Sequence, residues 1–365
     1  MTARKRAASS WSITATTTSS ACSTCSASRI SEASLSLPRK ASLTRSGQPV
    51  KRVPLAILLV VATIAAWYFT RGPKQPETGT RVPFEVISAD LAGQFSGEKA
   101  YSQVKALVEI GPRPPESDGY EEALVLLEKE FASQGWETQR QTFTKADTVV
   151  GAKSFTNLLA RHSAGERDWN RSTPVVIGGH LDSKLIDSFK FVGANDGGSS
   201  TGVILELARV MATRPADAAK VEFVLFDGEE AFLPDITPAD GLYGSKYYAY
   251  AISNRATWPS LGIVIDLVGD SRHGFYYNPE APPSFATTVE KVAAETGLQL
   301  KRPPGPIIDD HVPLQNTGLP CLHLIGDFMN MPYWHQPGDT MEVIDAKALE
   351  QAGRATLKFL AEVKP

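Results

Sequence analysis

Acidic and histidine residues in this 365-residue chain stand at the ends of hydrophobic runs, an arrangement suited to chemistry at one edge of a sheet. Pro174 to Gly179 runs into His180 and Asp182, and Val221 to Phe226 runs into Asp227, Glu229 and Glu230. Leu261 to Ile265 runs into Asp266, and Leu319 to Gly326 is followed by Trp334 and His335. Asp196 sits in the Gly-rich turn GANDGGSS just ahead of a predicted helix. Gathered in one cleft, so many carboxylates need protons or a cation to offset their repulsion. A divalent metal is the simplest such neutraliser. Carboxylate and imidazole ligands without thiolates suit zinc, with three protein ligands and one open position.

Glu229 and Glu230 are consecutive, so on an extended segment their side chains point in opposite directions. One can ligate while the other moves protons. The alternative, a solvated acidic turn, fits poorly with a pair that abuts a hydrophobic strand and accompanies four similar endings. His180 and Asp182 share a strand face by their i, i+2 spacing, which places Asp182 to orient the imidazole; a purely structural His180 is the alternative. His311, in DDHVPL, and His323, inside an apolar run, are weaker candidates, and a satisfied core histidine is the expectation for His323. His162 and His273 carry no signal.

The elements that must position these residues alternate. Apolar, β-branched runs at 174–178, 221–226, 261–267 and 319–325 are separated by helical patterns at 201–212, 244–253 and 285–296, with further helices at 120–134 and 346–363. That order implies a largely parallel sheet flanked by helices, in one domain without internal repeats.

The N-terminal part differs. Residues 1–52 carry nine basic groups and one acid, Glu32, a net +8, which leaves −11 of the total −3 on residues 53–365. So acidic a body is a poor partner for nucleic acid. Ser, Thr and Ala crowd residues 7–50, so residues 1–52 are expected to be a disordered basic cytoplasmic segment. VPLAILLVVATIAAWYFT (53–70) has no charge. As a helix it spans about 27 Å of a roughly 30 Å hydrocarbon layer. Flanking Lys51, Arg52 and Arg71, with Trp67 and Tyr68 near the outer end, predict a transmembrane anchor at 53–71 with the rest of the chain outside the cytoplasm. A cleaved signal peptide is the alternative, although no convincing small-x-small site follows the run. Residues 72–97 are expected to be a linker and lead-in, and residues 98–365 the catalytic domain. Cys22 and Cys25 form a C-x-x-C pair with no second pair or nearby His, which leaves Cys321 alone in the globular part, without a disulfide partner.

The strings IGGHLDSK, GANDGGSSTGVILELAR, FDGEEAFL, LYGSKY, IDLVGD, DDHVPL and WHQPGDT resemble, in order, the glutaminyl-peptide cyclotransferases. GPRPPESDGYEEA is similar to the segment that leads into that family's domain. The resemblance implies an α/β fold: an αβα sandwich with a mostly parallel mixed central sheet, as in zinc aminopeptidases. It implies one Zn2+ held by Asp196, Glu230 and His335, with Glu229 as proton shuttle and Asp266 and Asp309 in its hydrogen-bonded acid network. A one-residue shift would exchange Asp309 for Asp310. Trp334 would line the pocket for the glutamine side chain, with ordinary packing beside the ligand loop as the alternative. Animal members carry an aromatic just after EEAFL; here Pro234, Asp235 and Ile236 stand in its place, and Phe328 is expected to supply an aromatic from another loop. The implied substrates are peptides or proteins with N-terminal Gln, cyclised to pyroglutamate. The related two-zinc aminopeptidases set the alternative, in which His180 and Asp266 hold a second metal and Glu229 activates a bridging water. A membrane-tethered binding module with a degenerate site is a third reading, against which the intact ligand set argues.

Overall fold

Four segments, VVIGGH, VEFVLF, LGIVID and CLHLIG, are buried along their whole length, as strands covered on both faces must be. The computed structural model describes residues 80–364. In chain order its elements are β1 (Thr80–Arg81), α1 (Gly97–Ile110), α2 (Asp118–Ser133), β2 (Trp136–Thr148), β3 (Gly151–His162), β4 (Val175–His180), α3 (Gly198–Ala212), α4 (Pro215–Ala218) and β5 (Val221–Phe226). There follow α5 (Tyr243–Ser253), β6 (Thr257–Trp258), β7 (Leu261–Asp266), β8 (Phe275–Tyr277), α6 (Pro283–Thr296), β9 (Leu300–Lys301), α7 (His311–Asn316), β10 (Cys321–Gly326) and α8 (Ala346–Glu362).

The main sheet has the order β2-β3-β5-β4-β7-β10-β8-β9. Its centre, β5-β4-β7-β10, is parallel. The pairs β2-β3, β3-β5 and β10-β8 are antiparallel, so the sheet is mixed. Side chains alternate between its faces. Ile177, Phe223, Leu225, Ile263 and Ile265 join a core with residues of α1, α2, α3, α6 and α8, while Val176, Val224, Phe226 and Val264 join a second core with Tyr248 and Ile252 of α5 and Leu314 of α7. The result is the three-layer α/β arrangement expected of buried parallel strands.

Three features differ from the sequence expectation. The long β2-β3 ribbon replaces an undefined stretch, because its polar, alternating residues show no apolar run. The expected lead-in at 72–97 is part of the packed body from residue 80 onward: Ile87, Leu91 and Phe95 are core residues, and the Ile87 N–H donates to Leu360 O at 3.3 Å. Helix α1, where no helical pattern was expected, packs closely on α3, and a Cβ at Gly202 would lie 2.5 Å from Val104. The expected segments 1–52 and 53–71 and the Cys22/Cys25 pair lie outside the described residues; among the described residues no helix is long and apolar enough to cross a membrane.

Candidate metal centre and active site

The carboxyl ends of β4, β5, β7 and β10 open onto one cleft, and each hands its following residues to it. β4 ends in His180, the turn after β5 carries Glu229 and Glu230, and β7 ends in Asp266. Asp196 stands two residues before α3. Gly197 between them adopts φ +76°, and a Cβ there would come within 3.0 Å of the His180 ring, so only glycine lets the turn pass. His335 also has positive φ, +52°, a strained conformation for a non-glycine residue that turns its ring inward.

A cavity of about 230 Å3 is lined by Asp196, Glu229, Glu230, Asp266, Asp309, Phe328, Trp334 and His335. Asp310 is buried away from that lining, so Asp309 is the member of the pair that faces the cleft. Pro234, Asp235 and Ile236 form part of its wall, and the Phe328 ring packs 4.8 Å from Trp334, which stacks on His335 at 4.3 Å.

Ligand-type atoms of Asp196, Glu230 and His335 lie within 4.8 Å of one another, as do those of His180, Asp196 and Asp266. His335 Nε2 is 3.3 Å from Glu230 Oε1 and 3.4 Å from Asp196 Oδ2. Both of those oxygens are buried without a hydrogen-bond partner among the described residues. Tetrahedral zinc with bonds of about 2.0–2.1 Å sets its ligand atoms about 3.3–3.4 Å apart, so spacing, donor type and unsatisfied oxygens all fit that ion. Glu230 Oε2 faces Lys184 Nζ at 3.3 Å, which leaves Oε1 for the shared centre.

The acid network runs differently from the expected one. Asp309 Oδ2 pairs with His323 Nε2 at 2.8 Å, and Asp266 Oδ1 lies 3.1 Å from His180 Nε2. Neither is hydrogen-bonded to Glu229; both share its cavity, and Asp309 acts on it through charge. His323, expected as a core histidine, is fully buried and is the partner of Asp309. Asp182 does meet the second ring nitrogen of His180, whose Nδ1 lies 3.1 Å from the Asp182 main-chain oxygen and 3.5 Å from its Oδ1. The Asp182 carboxylate also accepts the N–H groups of Glu229 and Glu230, each at 3.2 Å, because the turn after β5 brings those amides over it. Not legible in the sequence were this role, that of Lys184 at Glu230, and the hydrogen bonds that Asp339 accepts from the Asn195 and Asp196 N–H groups. Only a lysine in HLDSK and an acid in WHQPGDT stand there in the sequence as signals of the last two.

Burial pushes the Glu229 carboxyl well above its usual range, with the charges of Asp309, Glu230 and Asp310 adding to the effect against His180. Burial and nearby Asp309 and Asp196 push Asp266 up to about 6, against the opposing effect of His180. Burial alone would lower His335, but Glu230 and Asp196 outweigh it and push it up to about 10. A site that strains so many groups toward neutral acids and charged imidazoles is one built for an added cation.

A mixed α/β sheet whose strand ends converge on carboxylate and imidazole ligands defines a candidate metalloenzyme of the aminopeptidase-like class. The model of peptidase family M28 matches residues 157–360, and the chain belongs to that family. A glutaminyl-peptide cyclotransferase-like protein of Bos taurus is 28% identical over 381 residues, covering 90% of this chain and 96% of its own. The glutaminyl-peptide cyclotransferase of Drosophila melanogaster is 27% identical and covers 58% of this chain and 65% of its own. Among solved structures, the glutaminyl cyclase of Porphyromonas gingivalis superposes with a TM-score of 0.65 at 26% identity, covering 73% of this chain and 98% of that one. A leucine aminopeptidase precursor from Bacteroides thetaiotaomicron reaches the same TM-score, 0.65, at 20% identity, a likeness of fold alone.

Proposed function

We propose that this chain is a zinc-dependent glutaminyl-peptide cyclotransferase that closes the N-terminal glutamine of peptides or proteins to pyroglutamate and releases ammonia. The observation that carries this reading is Glu229: a buried carboxyl, raised well above its usual range, in the cavity beside Asp196, Glu230 and His335 but not among the ligand-type atoms they bring together. The relatives named as cyclotransferases and cyclases support it.

The α-amine attacks the side-chain amide carbon of the same residue, forming the ring C–N bond. Glu229 takes the proton the amine loses and delivers it to the departing amide nitrogen as the old C–N bond breaks, so ammonia leaves and Glu229 is restored. A carboxyl raised by burial is suited to hold that proton between the two steps. Trp334, Phe328 and Ile236 hold the flexible side chain in its cyclising conformer, which contributes through orientation. Bound by Asp196, Glu230 and His335, zinc supplies Lewis-acid polarisation of the amide carbonyl. Asp309 keeps negative charge near Glu229 and so maintains its affinity for the proton, while Asp266 lines the same cavity.

One observation favours a second reading. His180, Asp196 and Asp266 form another ligand-like group sharing Asp196, the layout a two-metal aminopeptidase would use. Incubating the purified domain with Gln-initiated and Leu-initiated peptides decides between them. Ammonia with the matching mass loss supports cyclisation, and free Leu supports the peptidase. We also propose that residues 53–71 anchor the chain with the catalytic domain outside the cytoplasm, on the strength of the uncharged run and its flanking bases. Reporter fusions after residue 71 that are active only inside the cytoplasm would overturn it.

A further inference from the structure

Asp339 lies four residues beyond His335, is 1% exposed, and reaches across to the turn that carries Asp196. Its Oδ1 accepts the Asn195 N–H at 2.7 Å and its Oδ2 accepts the Asp196 N–H at 3.1 Å. The Ala194 N–H donates to the Asp339 main-chain oxygen at 3.4 Å. Asn195 is held from other sides as well: its Oδ1 accepts the Gly269 N–H at 2.7 Å, and its Nδ2 donates to the Tyr333 hydroxyl at 3.1 Å. That hydroxyl donates in turn to Asp270 at 2.8 Å. The turn bearing one ligand and the loop bearing another are therefore joined through a single buried carboxylate. Asp182 repeats the device on the amides of Glu229 and Glu230.

Two consecutive N–H groups need two acceptor atoms. A carboxylate offers both, whereas an amide of the same shape offers one and turns its own N–H2 against the other donor. We infer that Asp339 is a positioning residue whose carboxylate, by clamping the amides of Asn195 and Asp196, sets the spacing between the Asp196 carboxylate and the His335 imidazole and thereby the affinity of the site for zinc. This rests on the metal reading of Asp196, Glu230 and His335, and not on which reaction the site performs.

The test measures zinc affinity by chelator competition, the Co2+ absorption spectrum, and the melting temperature of the metal-free protein. Asp217→Asn serves as comparison: Asp217 is a buried acid that accepts the Ser88 N–H at 3.1 Å and lies in α4, before the start of β5. Both substitutions lower the metal-free melting temperature. Only Asp339→Asn weakens zinc, by about 10- to 100-fold, and alters the Co2+ spectrum. Asp339→Glu keeps both acceptors but displaces them by one methylene, so it folds and binds zinc more weakly than the parent; it decides the matter if Asp339→Asn does not fold. Parental zinc affinity and spectrum in the folded variants overturn the inference, as does a parent protein that holds no zinc. A parent that binds zinc but releases Leu overturns the proposed reaction and leaves the clamp standing.

Discussion

Strand β5 carries buried acids at both of its ends, and the two ends are finished in opposite ways. At its start, Glu222 is fully buried, accepts Arg161 Nε at 2.6 Å and Arg255 at 3.0 Å, and receives the hydroxyl of Tyr248. Burial would push its carboxyl up, but Arg255 and Arg161 outweigh that and hold it below its usual range. The spare donors of Arg161 go to the main-chain oxygens of Asp168 and Arg171, at 3.0 and 2.7 Å. At the other end, Lys184 meets Glu230 at 3.3 Å, Glu230 Oε1 has no hydrogen-bond partner among the described residues, and Asp227 and Glu229 are both pushed well above their usual range, chiefly by burial. Charge that the chain satisfies itself is structure. Charge that it leaves unsatisfied in a cavity marks where something else must bind.

The contrast is sharpest when each end is damaged in turn. Glu222→Ala leaves two buried guanidinium groups without their counter-charge, and the expected loss is about 3–5 kcal/mol of stability in urea unfolding. Turnover per folded molecule stays at the parental value. Glu229→Gln reverses the pattern: cyclisation falls by at least ~100-fold, about 2.7 kcal/mol of barrier, while zinc content stays intact. Its melting temperature stays at or above that of the parent, since a carboxyl held against burial and like charge is removed. Loss of turnover in Glu222→Ala, or loss of stability in Glu229→Gln, would erase the distinction between the ends.

How much of this was legible in the sequence depended on whether a residue's role follows from its own strand or from a distant one. Asp196, Glu229, Glu230, Asp266, Asp309 and His335 could be singled out because each ends an apolar run or sits in a motif, and a parallel sheet brings such endings to one edge; the structure places all six in one cavity. The fold followed likewise from the runs at β4, β5, β7 and β10. The β2-β3 ribbon did not, because Thr, Gln, Arg and Lys on half-exposed strands give no apolar signal. Nor did α1, whose buried stripe is only Gly97, Ala100, Val104 and Leu107. Asp182 and Asp339 clamp main-chain N–H groups 47 and 144 residues away, contacts that no local pattern encodes. The Glu222 cluster and the Asp309–His323 pair were hidden for the same reason.

The acids at the site end also predict a pH dependence that the Glu222 end lacks. Burial and the Asp196 charge push Asp339 up to about 7, and Asp266 stands at about 6. An acid raised on folding takes up protons as the chain folds, so its contribution is fully present below about pH 3.9 and is lost as pH rises through the folded value. The melting temperature of the metal-free protein should therefore fall between pH of about 4 and about 7. Asp196 and Asp309, held below their usual range, act only below that window. With zinc bound the slope reverses, because metal binding releases protons and strengthens with pH. A flat profile in the metal-free protein would mean that the site end is as well compensated as the Glu222 end.

The smallest effect compares one aromatic from each end. Tyr248 packs against Phe226 and gives its hydroxyl to Glu222, whereas Phe328 packs 4.8 Å from Trp334 at the cavity wall. Removing the hydroxyl in Tyr248→Phe takes away a hydrogen bond to a charged group, worth about 1.5–3 kcal/mol of stability, and touches nothing that meets substrate. Phe328→Leu keeps apolar volume but loses the ring contact that steadies Trp334, worth about 0.5–1.5 kcal/mol. Because that contact shapes a wall and not the proton path, the loss falls on KM for a Gln-initiated peptide, which rises roughly 2- to 12-fold. Steady-state kinetics and thermal melting on the two variants separate the cases. If Phe328→Leu instead lowers kcat with KM unchanged, the ring acts on the reacting geometry through Trp334 and His335, and the wall belongs to the catalytic machinery.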